Sequence, residues 1–331
     1  MTSILTNIAA MSALQTLRSI GSNMEETQGR VSSGLRVGEA ADNAAYWSIA
    51  TTMKSDNMAL SAVSDALGLG ASKIDTAYAG MESAIDVVKE IKAKLVTATE
   101  EGVDKAKVQE EITQLQGQLK SIADSASFSG ENWIAGGTDT MTAAVDVTVV
   151  SGFVRDANNN VAVKTTSYTL DATTAGSMTL LFGGDADGAI DTTTGILGTN
   201  ATDFTTTDFD ASDATVTAAA TAVGGMSVYT LDINGFGGAE MAEALTLVDA
   251  ALAFMTSAGA DLGSISMRID LQEDFVNKLS DSLDSGIGRL VDADMNEEST
   301  RLKALQTQQQ LAVQSLSIAN SSSEVILSLF R

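Results

Sequence analysis

The sequence predicts a mainly α-helical protein whose long coiled-coil rods are built from both chain ends, with an inserted β-rich outer domain between them. Three observations carry this. Apolar residues recur at three-four spacing from residue 1 to about 135 and again from about 238 to 331. The stretch between is rich in Thr, Gly, Ala and Asp and alternates instead. There is also no proline in 331 residues, so the commonest helix breaker is missing.

The first segment, residues 1–24, holds a single charged side chain, Arg18, while Ile4, Ile8, Met11, Leu14, Leu17 and Ile20 form an apolar stripe. A helix that faced water on its other side would carry Lys and Glu there. Its charge-poor back therefore predicts a surface meant to be covered by neighbouring copies. The apolar run is interrupted by Thr, Asn, Ser and Gln and lacks a basic leader, which predicts that it is not a cleaved signal peptide.

A longer rod follows. Leu60, Val63, Leu67, Gly70, Ile74, Ala77, Met81, Ala84, Val88, Ile91 and Leu95 step by three and four, and each is apolar or small. At the helical rise of 1.5 Å per residue this seam runs for roughly 50 Å, the length of a coiled-coil rod rather than of an enzyme helix. A break at Glu100-Glu101-Gly102 precedes Val108, Ile112, Leu115, Leu119 and Ile122, which predict a second helix folded back antiparallel on the first.

The middle reads as strand and turn. Val145, Val147 and Val149 alternate, Asn158-Asn159-Asn160 marks a turn, and Tyr168–Leu170 and Met226–Ile233 have strand-like composition. Between 141 and 234 eleven Asp face two basic residues, Arg155 and Lys164, so the insert belongs on a solvated outer surface.

Helical rhythm returns with Met241, Leu245, Val248, Leu252 and Met255, continuing through Leu262, Ile265, Ile269, Val276, Leu279 and Leu283. One amphipathic helix cannot bury its stripe alone, so this one is expected to pack on the two N-terminal helices. The last segment keeps the spacing through Leu302, Leu305, Gln309, Ala312, Leu316, Ala319, Ser323, Ile326 and Phe330, and residues 304–331 hold only Glu324 and Arg331 as charges. Polar Gln309 and Ser323 on the seam favour register over strength.

Composition removes whole classes of function. With no Cys and no His there is no thiol or imidazole chemistry, no disulfide and no His- or Cys-ligated zinc. A net charge of −24 opposes nucleic acid and anionic membrane surfaces, and no stretch offers 18 to 20 continuous apolar residues. Asp185-Ala186-Asp187-Gly188 resembles the start of a calcium loop, but Ile190 and Ile196 stand where that loop needs Gly and Glu, so an acidic turn is the better reading. The glycines at 68, 70, 235, 237 and 238 lack phosphate-loop spacing, and Glu100-Glu101 and Glu297-Glu298 read as solvated pairs. Asn200-Ala201-Thr202 reads as an ordinary loop, and Trp47 and Trp133 as plugs in helical seams. No catalytic residue, cofactor or metal site is assigned.

Two separated motifs carry a resemblance. Val31-Ser32-Ser33-Gly34-Leu35-Arg36-Val37 followed by Ala40-Ala41-Asp42-Asn43-Ala44-Ala45 resembles the N-terminal signature of bacterial flagellins. Asp292-Ala293-Asp294-Met295, Gln308-Gln309-Gln310-Leu311-Ala312 and the closing Ile326-Leu327-Ser328-Leu329-Phe330-Arg331 resemble the C-terminal one. Tyr46-Trp47-Ser48-Ile49-Ala50 is similar to the rhizobial type.

The resemblance implies a subunit that polymerises, alone or with sister flagellins, into the extracellular flagellar filament for swimming. It also implies an export chaperone and channel without a cleaved signal peptide, and hook-associated junction and cap proteins at the filament ends. A hook-filament junction protein and, more distantly, a secreted adhesin are the alternatives. On this reading residues 1–42 and 288–331 form the lumen-lining terminal coiled coil, 43–137 and 238–287 the long-helix core, and 138–237 the exposed insert. The self-assembly interface is expected at Ile4, Ile8, Met11, Leu14, Leu17, Ile20, Leu35 and Arg36, and at Leu302, Leu305, Leu311, Leu316, Ile326, Leu329 and Phe330.

Overall fold

The computed structural model describes residues 7–136, 144–155, 160–172, 178–184, 189–199 and 225–329. Ile4, Asn158, Asn159, the acidic turn from Asp185 to Gly188, Asn200-Ala201-Thr202, Phe330 and Arg331 lie outside these residues, as do the side chains of Ser323, Ile326 and Leu329. Long helices dominate: α1 (Ile8–Ser33), α2 (Ala44–Ala98), α3 (Lys105–Ser125), α5 (Gly238–Val291) and α6 (Met295–Leu329). Among the described residues between α3 and α5 stand three two-stranded antiparallel ladders, β1 (Ser127–Phe128) with β2 (Glu131–Asn132), β3 (Val145–Arg155) with β4 (Val161–Leu170), and β5 (Gly183–Gly184) with β6 (Ile190–Asp191), and the single turn α4 (Gly195–Gly198).

The chain divides into two compact units, one of Met1–Ala59 with Leu279–Arg331 and one of Leu60–Lys278. The division falls inside α2 and inside α5.

In the Leu60–Lys278 unit all eleven α2 seam positions from Leu60 to Leu95 are buried, Gly70 included. Each large aliphatic side chain so buried contributes on the order of 1.5–3 kcal/mol. Antiparallel α5 lies along this seam in one register. Lys92 pairs with Asp249, Ser266 Oγ donates to Asp75 Oδ1 at 3.1 Å, and Ser64 lies against Asn277 at 3.5 Å, each step down α2 matching a step up α5. A Cβ on Gly259 would sit 3.6 Å from Met81 and one on Gly263 3.5 Å from Tyr78, both ordinary van der Waals contacts. Met241, Val248, Met255, Leu262, Ile269 and Val276 are buried, and Leu245, Leu252 and Ile265 are half-buried. α5 carries a stretch apolar enough by length and composition to cross a membrane, but 44% of it is buried within the chain, and Asp249 interrupts it.

α3 folds back antiparallel to α2, tied by the Lys94–Glu111 ion pair at 2.6 Å. Its buried face differs from the expected one. Val108, Ile112, Leu119 and Ala123 are buried, yet Leu115 and Ile122 are half-buried while Gln109 and Gln116 go inside. Those glutamines hold the backbone of the next segment. Gln116 Nε2 donates to the carbonyls of Val228 and Leu231 at 3.0 and 3.1 Å, and Ile233 N donates to Gln109 Oε1 at 2.9 Å. This corrects the strand expected over Met226–Ile233. The segment is irregular, because side-chain amides rather than a neighbouring strand satisfy its polar groups.

The other middle elements pack on the helices too. The β1–β2 turn is made by Ser129 at φ 54° and Gly130 at φ 87°, the pair of left-handed residues that a tight two-residue hairpin needs. β3 and β4 pair from Val145↔Leu170 to Arg155↔Val161, with an irregularity between Val150 and Gly152. Val149 presses on α2 so closely that a Cβ on Gly70 would lie 2.1 Å from its Cγ1, and Arg268 of α5 bonds to Thr166 of β4. Leu180, Leu181, Phe182, Ile196 and Leu197 form a small fully buried core, with Tyr229 edge-on to Phe182 at 5.5 Å.

Candidate assembly surfaces

The terminal helices lie in the other unit. Asn7 starts α1, its Oδ1 accepting from Ala10 N at 3.0 Å, and Gly34 ends it in the left-handed conformation at φ 73°. Gly34 at this position is therefore a helix stop that a side chain would strain. The chain then turns back along the end of α5. Arg36 N and Val37 N donate to Val291 O at 2.7 and 3.2 Å, Ala293 N donates to Gly34 O at 2.9 Å, and Leu35 bridges to Asp292. Val37, Ala50, Ile287 and Val291 close a small core there, with Leu35, Met53 and Leu290 against it. Asp42 locks the loop before α2: its carboxylate accepts from Glu39 N and Gly38 N, at 3.0 and 2.9 Å, and these bonds hold it below the usual carboxylate range. Asp294 caps α6 by accepting from Asn296 N at 2.8 Å.

α1 and α6 pack together antiparallel. Asn7 Nδ2 donates to Ala319 O at 2.9 Å at one end, and Arg30 meets Glu298 at 3.4 Å at the other. On α6 the less exposed positions are Glu298, Ser299, Leu302, Leu305, Gln309, Ala312, Leu316 and Ala319; burial of Glu298 corrects the solvated pair expected at Glu297-Glu298. On α1 they are Ala10, Ala13, Leu17, Ile20, Gly21, Met24, Thr27, Arg30 and Val31. The α1 stripe expected from sequence is thus divided. Leu17 and Ile20 turn towards the pair, but Ile8 and Met11 are 69% and 62% exposed and Leu14 is exposed as well. Ala10, Ala13 and Thr27 fall outside the apolar stripe because small and hydroxyl side chains carry little hydrophobic signal, although their three-four spacing is regular.

On α6, Leu302 and Leu316 are half-buried and Leu305 is buried in the pair, whereas Leu311 points outward at 62% exposure, with Ile318 at 69% and Val313 also exposed. Leu35 is packed within the chain. Arg36 is exposed and bonds through Nη2 to Leu290 O at 3.0 Å. The tryptophans depart from expectation. Trp47 is exposed near the start of α2, with Tyr46 and Ile49, whereas Ala50 is buried and Met53 packs against the same small core. Trp133 is buried, but against Tyr168 of β4 rather than in a helical seam.

These features define a class: a structural subunit whose paired terminal helices keep large apolar side chains in water after their mutual seam is filled. Comparison with known proteins makes it particular. Residues 4–139 match the model of the bacterial flagellin N-terminal helical region, and residues 245–330 that of the bacterial flagellin C-terminal helical region. Flagellin B of Rhizobium meliloti is 56% identical over 397 aligned positions, and Flagellin A of that species 54% identical over 397, each covering 100% of both chains. Flagellin C of Rhizobium meliloti (strain 1021) is 52% identical over 337 positions, again across 100% of both chains. The chain belongs to the bacterial flagellin family, in its rhizobial type, and is a structural subunit of the flagellar filament.

Proposed function

We propose that this subunit polymerises through the outward faces of α1 and α6, with residues 1–42 and 288–331 lining the filament lumen. On this reading residues 43–137 and 238–287 surround them as a core, and 138–237 decorate the exterior. The observation that carries it is the exposure of Ile8, Met11 and Leu14 on α1 and of Leu311 and Ile318 on α6, within the stretches 1–24 and 304–331, whose only charged residues are Arg18, Glu324 and Arg331. Exposed apolar side chains of this size gain on the order of 1.5–3 kcal/mol each when covered. The net charge of −24 keeps free subunits apart, so polymerisation depends on bringing these uncharged faces together.

The role is mechanical and uses no catalytic group. Sister flagellins are co-assembly partners. Before assembly the same faces need cover, the task of an export chaperone, and the subunit leaves through the flagellar channel without a cleaved signal. Junction and cap proteins with similar termini bound the polymer. The test is to seed purified monomer, or add a precipitant, and look for tubes by electron microscopy, with and without residues 1–35. Tubes from the full chain alone are expected. Tubes that survive the deletion would overturn the reading.

A further inference from the structure

The contact between Arg30 and Glu298 stands apart from the rest of the terminal pair. Glu298 occupies a seam position of α6, is 7% exposed, and is the one charged residue in the seam rhythm from 298 to 319. Its Oε1 faces Arg30 Nη1 at 3.4 Å, while its Oε2 is buried without a hydrogen-bond partner. Arg30, one turn before the Gly34 stop, also holds Glu26 of its own helix at 2.6 Å through Nη2. A buried carboxylate that depends on one cation is costly to leave when that cation moves away.

Apart from the polar Thr27 and Gln309, the remainder of the seam has little to say about register. The less exposed Ala10, Ala13, Leu17 and Ile20 of α1 and Leu305, Ala312 and Leu316 of α6, helices that pack together, are all small or aliphatic. A slip of seven residues would again set aliphatic against aliphatic, with every knob still over a hole. The same slip towards the N-terminus would carry Glu298 from Arg30 to the level of Asn23, leaving its charge buried without a cation. At the far end Asn7 Nδ2 reaches Ala319 O, a second point fixed in the same register.

We propose that the Arg30–Glu298 pair determines the register of α1 against α6, and thereby which outward residues of the two helices are offered together for polymerisation. The proposal rests on the reading of those outward faces as the assembly surface. Arg30 and Glu298 are positioning residues: they act through the alignment of Ile8, Met11 and Leu14 with Leu311 and Ile318.

Charge exchange in the full-length chain tests this. Arg30→Glu and Glu298→Arg are each expected to raise the critical concentration for seeded polymerisation by about tenfold or more, since each leaves a buried like-charge pair. The double exchange Arg30→Glu with Glu298→Arg restores the pair and is expected to return the critical concentration to within about threefold of the parent. A purely structural loss at either site would not be rescued by the second change. Thermal unfolding of the Leu60–Lys278 unit, followed in the same samples, is expected to be unchanged and shows that each variant is folded. Single variants that polymerise like the parent, or a double exchange no better than the singles, would overturn the proposal. Failure of the underlying reading looks different, because then the parent itself forms tubes without residues 1–35.

Discussion

Trp133 and Tyr168 stack with ring centroids 6.2 Å apart and planes 15° from parallel, joining the end of the N-terminal helical region to strand β4. Both are buried, and Trp133 Nε1 reaches Glu131 Oε2 at 3.4 Å, the carboxylate that also holds Lys73 of α2 at 2.8 Å. The Lys73 bond is the leading cause that holds Glu131 below the usual carboxylate range. The described β-hairpin is thus anchored to the rods by an aromatic pair at its base.

Burial pushes the Tyr168 hydroxyl up to about 12. The folded state therefore keeps a proton that the unfolded chain releases near pH 10, so the associated stability is complete below pH 10 and is lost as pH rises towards 12. The loss is on the order of 2 kcal/mol. Tm measured between pH 8 and 11.5 is expected to fall more steeply in the parent than in Tyr168→Phe, which has no proton to lose. Parallel curves would refute the assignment.

Gly70 and Gly68 stand on the same helix in opposite surroundings. A Cβ on Gly70 would lie 2.1 Å from Val149 Cγ1, while one on Gly68 would meet nothing within 4 Å. Gly70→Ala is expected to destabilise by about 1–3 kcal/mol, because the hairpin must shift away from α2. Gly68→Ala is expected to stabilise by about 0.5–1 kcal/mol through helix propensity. Urea unfolding of both variants reads the difference in sign.

Gln116 donates to two carbonyls, those of Val228 and Leu231. Gln116→Leu keeps the approximate size and strips the Val228 carbonyl of its amide donor, while Leu231 O keeps Gln109 Nε2 at 3.1 Å, at a cost of about 1–3 kcal/mol. Amide exchange over residues 225–236 is expected to quicken before exchange in α2 does. Equal protection in parent and variant would show that these bonds do not hold the segment.

Much of the helical part was legible because one physical rule, burial at a 3.6-residue period, governs it. The α2 seam from Leu60 to Leu95 and the α6 rhythm from Leu302 to Ala319 both follow directly. Where polar groups replaced apolar ones the pattern misled. Gln109 and Gln116 are inside because the irregular 226–233 segment needs donors and acceptors, something no hydrophobic stripe announces. The α1 pairing face was hidden for a related reason, since Ala10, Ala13 and Thr27 line it while the larger Ile8, Met11 and Leu14 point to water. Trp47 could not be placed by composition, because its exposure depends on which side chains pack at the start of α2.

The central claim is that the outward faces of the terminal helices build the filament. It is tested most directly by the seeded polymerisation of a full-length chain carrying Met11→Glu, Leu14→Glu and Leu311→Glu together. All three side chains are exposed, so far-UV helicity and unfolding of the Leu60–Lys278 unit are expected to match the parent. Electron microscopy and sedimentation are expected to show no filaments at concentrations where the parent polymerises completely. Filaments of normal length at the parent's critical concentration would contradict the account.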